Sequence, residues 1–160
     1  MSEKSTPRLW RLLKSKTINL NVKGVTKESA IEELIDLMVE AKQIPEKSKA
    51  LRKVLDRERM ISTGIGKEVA IPHAKFDQTT KPIVAFGRSD EGITFESLDG
   101  EKVHLMFLFL SPQDDPAGYV KILGKTARLL DSEELREALK GAEAPQEIID
   151  LIKEAEKKLR

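Results

Sequence analysis

Arg57-Glu58-Arg59-Met60-Ile61-Ser62-Thr63-Gly64-Ile65-Gly66-Lys67-Glu68-Val69-Ala70-Ile71-Pro72-His73-Ala74-Lys75 is the stretch from which the rest of the chain is read. It sets a basic residue, a hydroxyl pair, two glycines and a histidine behind a proline in one segment. Val69 to Ile71 has the apolar character of a short strand. Pro72 offers no N–H and biases Ile71 toward extended geometry. The chain therefore leaves the strand stiffly and presents His73 at its end, where open α/β sheets place their sites.

Upstream, Leu51, Val54 and Leu55 fall at helical spacing and predict a helix starting near Pro45 that carries Arg57 and Glu58 in its final turn. Before it, Ile31, Leu34, Ile35 and Met38 form one stripe of another helix, with Thr26 as its N-cap. Thr17 to Val22 alternates apolar and polar, the period of a half-buried strand. Leu9, Trp10, Leu12 and Leu13 suggest a small helix docked through Trp10, and residues 1–7 read as a disordered lead.

Downstream, Ile83 to Phe86 reads as a strand, and Ile93 with Phe95 as a separate short edge strand. Val103 to Leu110 is apolar almost throughout, which predicts a central strand covered on both faces. His104 stands inside it, in alternation with Met106, Leu108 and Leu110, and reads as a core or sheet-edge residue. The last third is helical. Val120, Leu123, Ala127 and Leu130 mark one stripe, with Gly124 permitting close approach of a neighbouring element. Asp131 followed by Glu134 resembles a capping box before Leu135, Ala138 and Leu139. Pro145 opens a final helix with Ile148, Ile152 and Ala155 inward. The order of elements points to one α/β layer domain over residues 8–160.

Composition narrows the function. The chain has 160 residues, 39% hydrophobic and 34% charged, long enough for a sizeable core. Its 28 basic and 27 acidic residues leave a net charge of +1, which argues against a nucleic-acid grip built on phosphate neutralisation. With no cysteine, disulfides, thiol nucleophiles and thiolate metal sites are excluded. Two histidines with no carboxylate at ligand-like spacing make no convincing metal site. No stretch reaches the length of a membrane span, and Met1 to Pro7 lacks the apolar core of a signal peptide. A cytoplasmic location is expected, without direct membrane insertion.

A neutral imidazole is a good nucleophile at the ring nitrogen that lacks the proton, so His73 is the first candidate for chemistry. Arg57 is the second: a guanidinium can fork onto two oxygens of a phosphoryl group. Ser62, Thr63 and Gly64 are expected to add hydroxyl and backbone donors to a bound anion, and Lys75 positive potential. The glycines do not form a nucleotide fingerprint. After Gly64 and Gly66 the third glycine is missing, and the run precedes a strand.

These residues carry a family resemblance. Leu55-Asp56-Arg57-Glu58, Ser62-Thr63-Gly64-Ile65-Gly66 and Val69-Ala70-Ile71-Pro72-His73-Ala74-Lys75 resemble the signature of the fructose/mannitol-type IIA domains of the bacterial sugar phosphotransferase system. Lys81 to Ser89, Phe95 to Gly100 and Val103-His104-Leu105 are similar to the fructose branch in particular. The resemblance implies a mixed sheet flanked by helices and a two-step relay. His73 would accept a phosphoryl group from phospho-HPr through Nε2 and pass it to a IIB domain for uptake of a fructose-like sugar, with Arg57 steadying the phosphoryl oxygens. No cofactor or metal is expected, since the phosphoryl group rides on the histidine. Donor and acceptor are proteins, so the site should open onto a docking surface with exposed apolar residues. One departure stands out: Tyr119 aligns with the second active-site histidine that family members commonly carry. The competing expectations are a nitrogen-type regulatory IIA protein, in which phosphorylation of His73 switches protein binding, and a degenerate binding domain.

Overall fold

The computed structural model describes residues 7–159. The expected disordered lead falls on residues 1–6, outside the described residues, except for Pro7, whose carbonyl accepts a hydrogen bond from Lys125 Nζ at 3.2 Å. In chain order the elements are α1 (Leu9–Leu12), β1 (Ile18–Asn19), α2 (Lys27–Glu40), α3 (Lys47–Met60), β2 (Gly64–Gly66), β3 (Val69–Ala70), β4 (His73–Lys75), β5 (Ile83–Ile93), β6 (Val103–Ser111), α4 (Pro116–Leu129), α5 (Glu133–Gly141) and α6 (Pro145–Lys158).

The strands form one mixed sheet in the order β1-β5-β6-β3-β2, with β4 continuing along the same edge of β6 as β3. Pro72 stands at the break between the two. It has no N–H to contribute, and its carbonyl still accepts from Phe109 N at 2.9 Å. β6 is central and buried on both faces, as its composition predicts. Met106, Leu108 and Leu110 pack with Ile31, Leu34, Ile35, Met38, Ala50 and Val54 of α2 and α3. Leu105, Phe107 and Phe109 pack with α1, α4, α5 and α6 through Leu9, Ile122, Leu129, Leu139, Ile148 and Ile152. The result is a three-layer α/β/α sandwich. Each fully buried Leu or Ile contributes roughly 1.5–3 kcal/mol, so the two faces of β6 hold the layers together.

Helix ends follow local chemistry. Thr26 caps α2 in a reciprocal box with Ser29. Glu46 caps α3, accepting from Lys49 N, so the helix begins at Lys47, two residues after Pro45. Ser132, one residue after the expected Asp131, caps α5 by accepting from Leu135 N at 3.1 Å. The carboxylate of Glu156, buried on α6, accepts from Leu9 N and Trp10 N, both at 2.8 Å, which fixes α1.

Several expectations are corrected. The first strand is only Ile18–Asn19, because Thr17 ends a 3-10 turn whose hydroxyl reaches Val84 O. Ile93 does not begin an edge strand; it ends β5 opposite Val103, after a register shift beyond Arg88 that hides the continuity in the sequence. Leu51 and Leu55 are only partly buried, and the buried stripe of α3 is Ala50, Val54 and Glu58. The fully buried stripe of α4 is Ile122, Thr126 and Leu129; of the predicted stripe Leu130 is buried, Leu123 and Ala127 are partly buried against the same core, and only Val120 is exposed. Gly124 meets no neighbouring element: an added Cβ would find only Arg128 Nη1, at 3.9 Å. His104 does not share the face of Met106. The N–H groups of His104 and Leu105 both point at Glu68 O, a bulge that shifts the alternation and turns His104 toward Arg88 and Lys140.

Candidate active site

The site forms where the end of α3, the β2–β3 hairpin, the start of β4 and the first turns of α4 meet. Arg57, Ser62, Thr63, Ile65, Ile71, His73, Val120, Leu123, Gly124 and Ala127 line an open cavity of about 410 Å³.

His73 is clamped by its own strand. Its Nδ1 lies 2.8 Å from the carbonyl of Ile71, two residues back across the rigid Pro72. A carbonyl only accepts, so Nδ1 carries the hydrogen, and in the neutral ring Nε2 holds the lone pair. Burial lowers the pKa of His73 below the ordinary value of 6.5, and the Arg57 charge lowers it further; the Ile71 bond and the Glu58 charge oppose them. Near pH 7 the imidazole is neutral, the form a nucleophile needs.

Arg57 stands in the last turn of α3, where its charge also suits the helix dipole. Nη1 donates to the carbonyl of Ile61 at 3.2 Å, and among the described residues no carboxylate pairs with this guanidinium. Tyr119, half-buried in the first turn of α4, meets the His73 ring edge to face, centroids 5.5 Å apart at 72°. Burial raises its phenol to about 12, Arg57 pulling the other way, so it stays neutral and able to donate. Lys75, two residues beyond His73 on β4, holds its ammonium 5.9 Å from the Tyr119 ring centre.

Ser62, Thr63 and Gly64 adjoin the cavity, but their donors are engaged within the chain. Ser62 Oγ donates to Phe95 O at 2.7 Å and accepts from Gly64 N at 3.1 Å. Thr63 gives both its hydroxyl and its N–H to the Glu58 carboxylate, at 2.7 and 2.8 Å. Gly64 is required for close packing, since a Cβ there would come within 3.0 Å of Ser97 Cα. The hairpin beyond it turns through positive φ at Gly66, Lys67 and Glu68. The segment is a wall, not the donor cradle its composition suggests.

His104 lies elsewhere. Its pocket, about 220 Å³, is shared with Arg88, Ser89, Asp90 and Lys140. Sequence reasoning named Glu58 but gave it no role, and it is 4% exposed. The signal was available: Ala50, Val54 and Glu58 recur every four residues, placing a carboxylate on a buried stripe. Among the described residues no group of three or more His, Cys, Asp or Glu is placed to hold a metal ion, and no helix is long and apolar enough to cross a membrane.

The chain is 41% identical over 137 residues to the PTS system fructose-specific EIIA component of Haloferax volcanii, covering 86% of this chain and 89% of that protein. It is 36% identical over 150 residues to the PTS system fructose-specific EIIABC component of Bacillus subtilis, covering 94% of this chain but spanning only 24% of the relative. Among solved structures, the nitrogen regulatory protein IIA-Ntr of Neisseria meningitidis superposes with a TM-score of 0.84 at 26% identity, over 90% of this chain and 98% of that one. The profile of the phosphoenolpyruvate-dependent sugar phosphotransferase system, EIIA 2, matches residues 11–155, and the chain belongs to that family.

Proposed function

We propose that the chain is a phosphoryl carrier whose cargo rides on His73 Nε2. The observation that carries this reading is the Nδ1–Ile71 hydrogen bond, which leaves the lone pair on Nε2 of a ring lining an open cavity beside Arg57. In the first step Nε2 attacks phosphorus in line, the P–N bond to the donor histidine of HPr breaks, and the donor ring keeps the electron pair. In the second step the nucleophile of a IIB component takes the group and Nε2 recovers its pair. Arg57 balances charge on the phosphoryl oxygens, and Tyr119 donates its O–H to one of them. The phosphoryl group is the covalent cargo, and no cofactor enters the scheme.

Exposed apolar residues surround the site. Met60 and Ile61 end α3 at 81% and 64% exposure, Val120 is 66% exposed, and Ile65 lies on the cavity rim. The α4 stripe that resembles a core face therefore suits docking of protein partners, HPr as donor and IIB as acceptor. The fructose-specific names of the relatives support a fructose-like sugar as the final acceptor.

Incubation with enzyme I, HPr and phosphoenolpyruvate tests the carrier reading. An acid-labile phosphoryl group is expected on the wild type and none on His73→Ala; an unlabelled wild type would overturn it. The likeness to IIA-Ntr favours one second reading, in which the phosphorylated state switches a regulatory contact. Onward transfer to a fructose-type IIB component supports transport; labelling without such transfer supports regulation.

A further inference from the structure

Behind His73 runs an unbroken line of hydrogen bonds that reaches a buried carboxylate. His73 Nδ1–H donates to Ile71 O at 2.8 Å, and Ile71 N–H donates to Thr63 O at 3.0 Å. Thr63 N–H and Oγ1–H donate to Oε2 and Oε1 of Glu58 at 2.8 and 2.7 Å. Lys27, from the first turn of α2, continues the line with Nζ 3.2 Å from Glu58 Oε2 and 3.4 Å from Oε1 of the exposed Glu96. The Lys27 and Glu58 side chains are 12% and 2% exposed, so this pair is shielded from water. A buried carboxylate is retained against its desolvation cost only when fully partnered. Among the described residues Glu58 has three donors, Thr63 N–H, Thr63 Oγ1–H and Lys27 Nζ.

We infer that Glu58 is a positioning residue for the transfer proposed above, holding His73 in the Nδ1–H tautomer through Thr63 and Ile71 while opposing the charge of Arg57. The two effects are separable. Thr63 follows α3 and accepts from Ile71 N–H, so its two bonds to Glu58 set where the Ile71 carbonyl stands. The charge acts through space: Glu58 and Arg57 are neighbours in the last turn of α3 and shift the His73 equilibrium in opposite directions. The other polar groups facing the ring are Tyr119 from α4 and, beyond it, Lys75 from β4. Arg57 draws the phosphoryl group in, and Glu58 keeps the site from holding it too tightly to hand on.

Glu58→Gln and Glu58→Ala separate geometry from charge. In Glu58→Gln the amide oxygen accepts from Thr63 N–H, the NH2 group donates to Thr63 Oγ1, and only the charge is lost. ¹⁵N-resolved NMR titration of the unphosphorylated protein is expected to show the Nδ1–H tautomer retained and the His73 midpoint moved to lower pH. In Glu58→Ala, with the amide spectrum confirming the fold, the tautomer preference is lost and phosphorylation by phospho-HPr slows roughly 10- to 100-fold, the usual scale for a misplaced reacting group. An unmoved midpoint in Glu58→Gln overturns the charge role, and an unchanged tautomer in Glu58→Ala overturns the positioning role. If Glu58→Ala does not fold, Thr63→Val, which removes the hydroxyl bond alone, must weaken the tautomer preference or the positioning role fails. The NMR arms need no phosphoryl transfer, so an unphosphorylated wild type would sink the carrier reading and leave this one decided separately.

Discussion

His73 and His104 share a local arrangement and differ in everything around it. Both rings bond Nδ1 to a backbone carbonyl, Ile71 at 2.8 Å and Ser89 at 2.7 Å, so both leave Nε2 as the acceptor. Both have an arginine in the same pocket. Arg88, however, is 9% exposed and gives Nε to Leu20 O and Nη1 to Leu139 O and Ala142 O, tying β5 to the C-terminal carbonyls of α5. Among the described residues Arg57 makes one hydrogen bond, to the end of its own helix, and it faces an open cavity. A fixed tautomer is therefore not what makes a histidine useful here. The difference is whether a nearby cation is free to meet an incoming anion.

Exchanging the arginines' fates gives the largest contrast. Arg88→Ala removes the buried guanidinium from the carbonyls of Leu20, Leu139 and Ala142, of which Leu139 keeps only a 3.4 Å bond from Ala142 N, and urea unfolding should show a loss of about 2–4 kcal/mol. Arg57→Ala should leave the unfolding midpoint nearly unchanged while slowing phosphorylation by phospho-HPr roughly 100-fold, the scale of one removed charge-stabilising donor. His104→Ala should keep phosphorylation within about twofold of wild type. A slow Arg88→Ala that remains fully stable, or a fast Arg57→Ala, would break the comparison.

Tyr119 sharpens it at a smaller scale. With its phenol near 12, Tyr119 stays neutral from pH 5 to well above 9, so its contribution to the phosphorylated state should not vary across that range. Tyr119→Phe removes one hydrogen-bond donor and should speed hydrolysis of phospho-His73 by about 5- to 10-fold, the worth of one such bond. Tyr119→His restores a titratable ring, so the hydrolysis rate should then depend on pH between about 5 and 8. A pH-independent Tyr119→His would mean that position 119 only packs against His73.

The sequence makes one half of this site readable and hides the other. Pro72 and His73 are local, and helix spacing alone sets Arg57 beside Glu58. The role of the Ser62–Gly64 segment is not local. Its hydroxyls and glycine look like an anion cradle until Glu58, Phe95 and Ser97 arrive from elsewhere and engage the donors or fill the space. α4 shows a second limit. It carries two apolar stripes, and periodicity cannot tell which faces the core. Thr126 reads as polar, yet its hydroxyl donates to Ile122 O at 2.8 Å and can be buried, which leaves Val120 exposed and Leu123 only partly buried. In β5 and β6 the sheet was legible but its faces were not, because bulges near Arg88 and His104 break the alternation.

The smallest expected effect is thermodynamic. Burial, aided by Arg57, sets the folded-state pKa of His73 below the 6.5 of an ordinary histidine. Between these two values the unfolded chain binds more protons than the folded one, so stability rises with pH in that window. The contribution of His73 is thus fully present above 6.5 and is lost as pH falls toward the folded value, with no further loss below it. Urea midpoints measured from pH 7.5 down to 4.5 should show a shallow decline beginning near 6.5 that is absent in His73→Gln. If His73→Gln kept the slope, desolvation of this ring would not be its source, and the contrast drawn between the two pockets would lose its thermodynamic side.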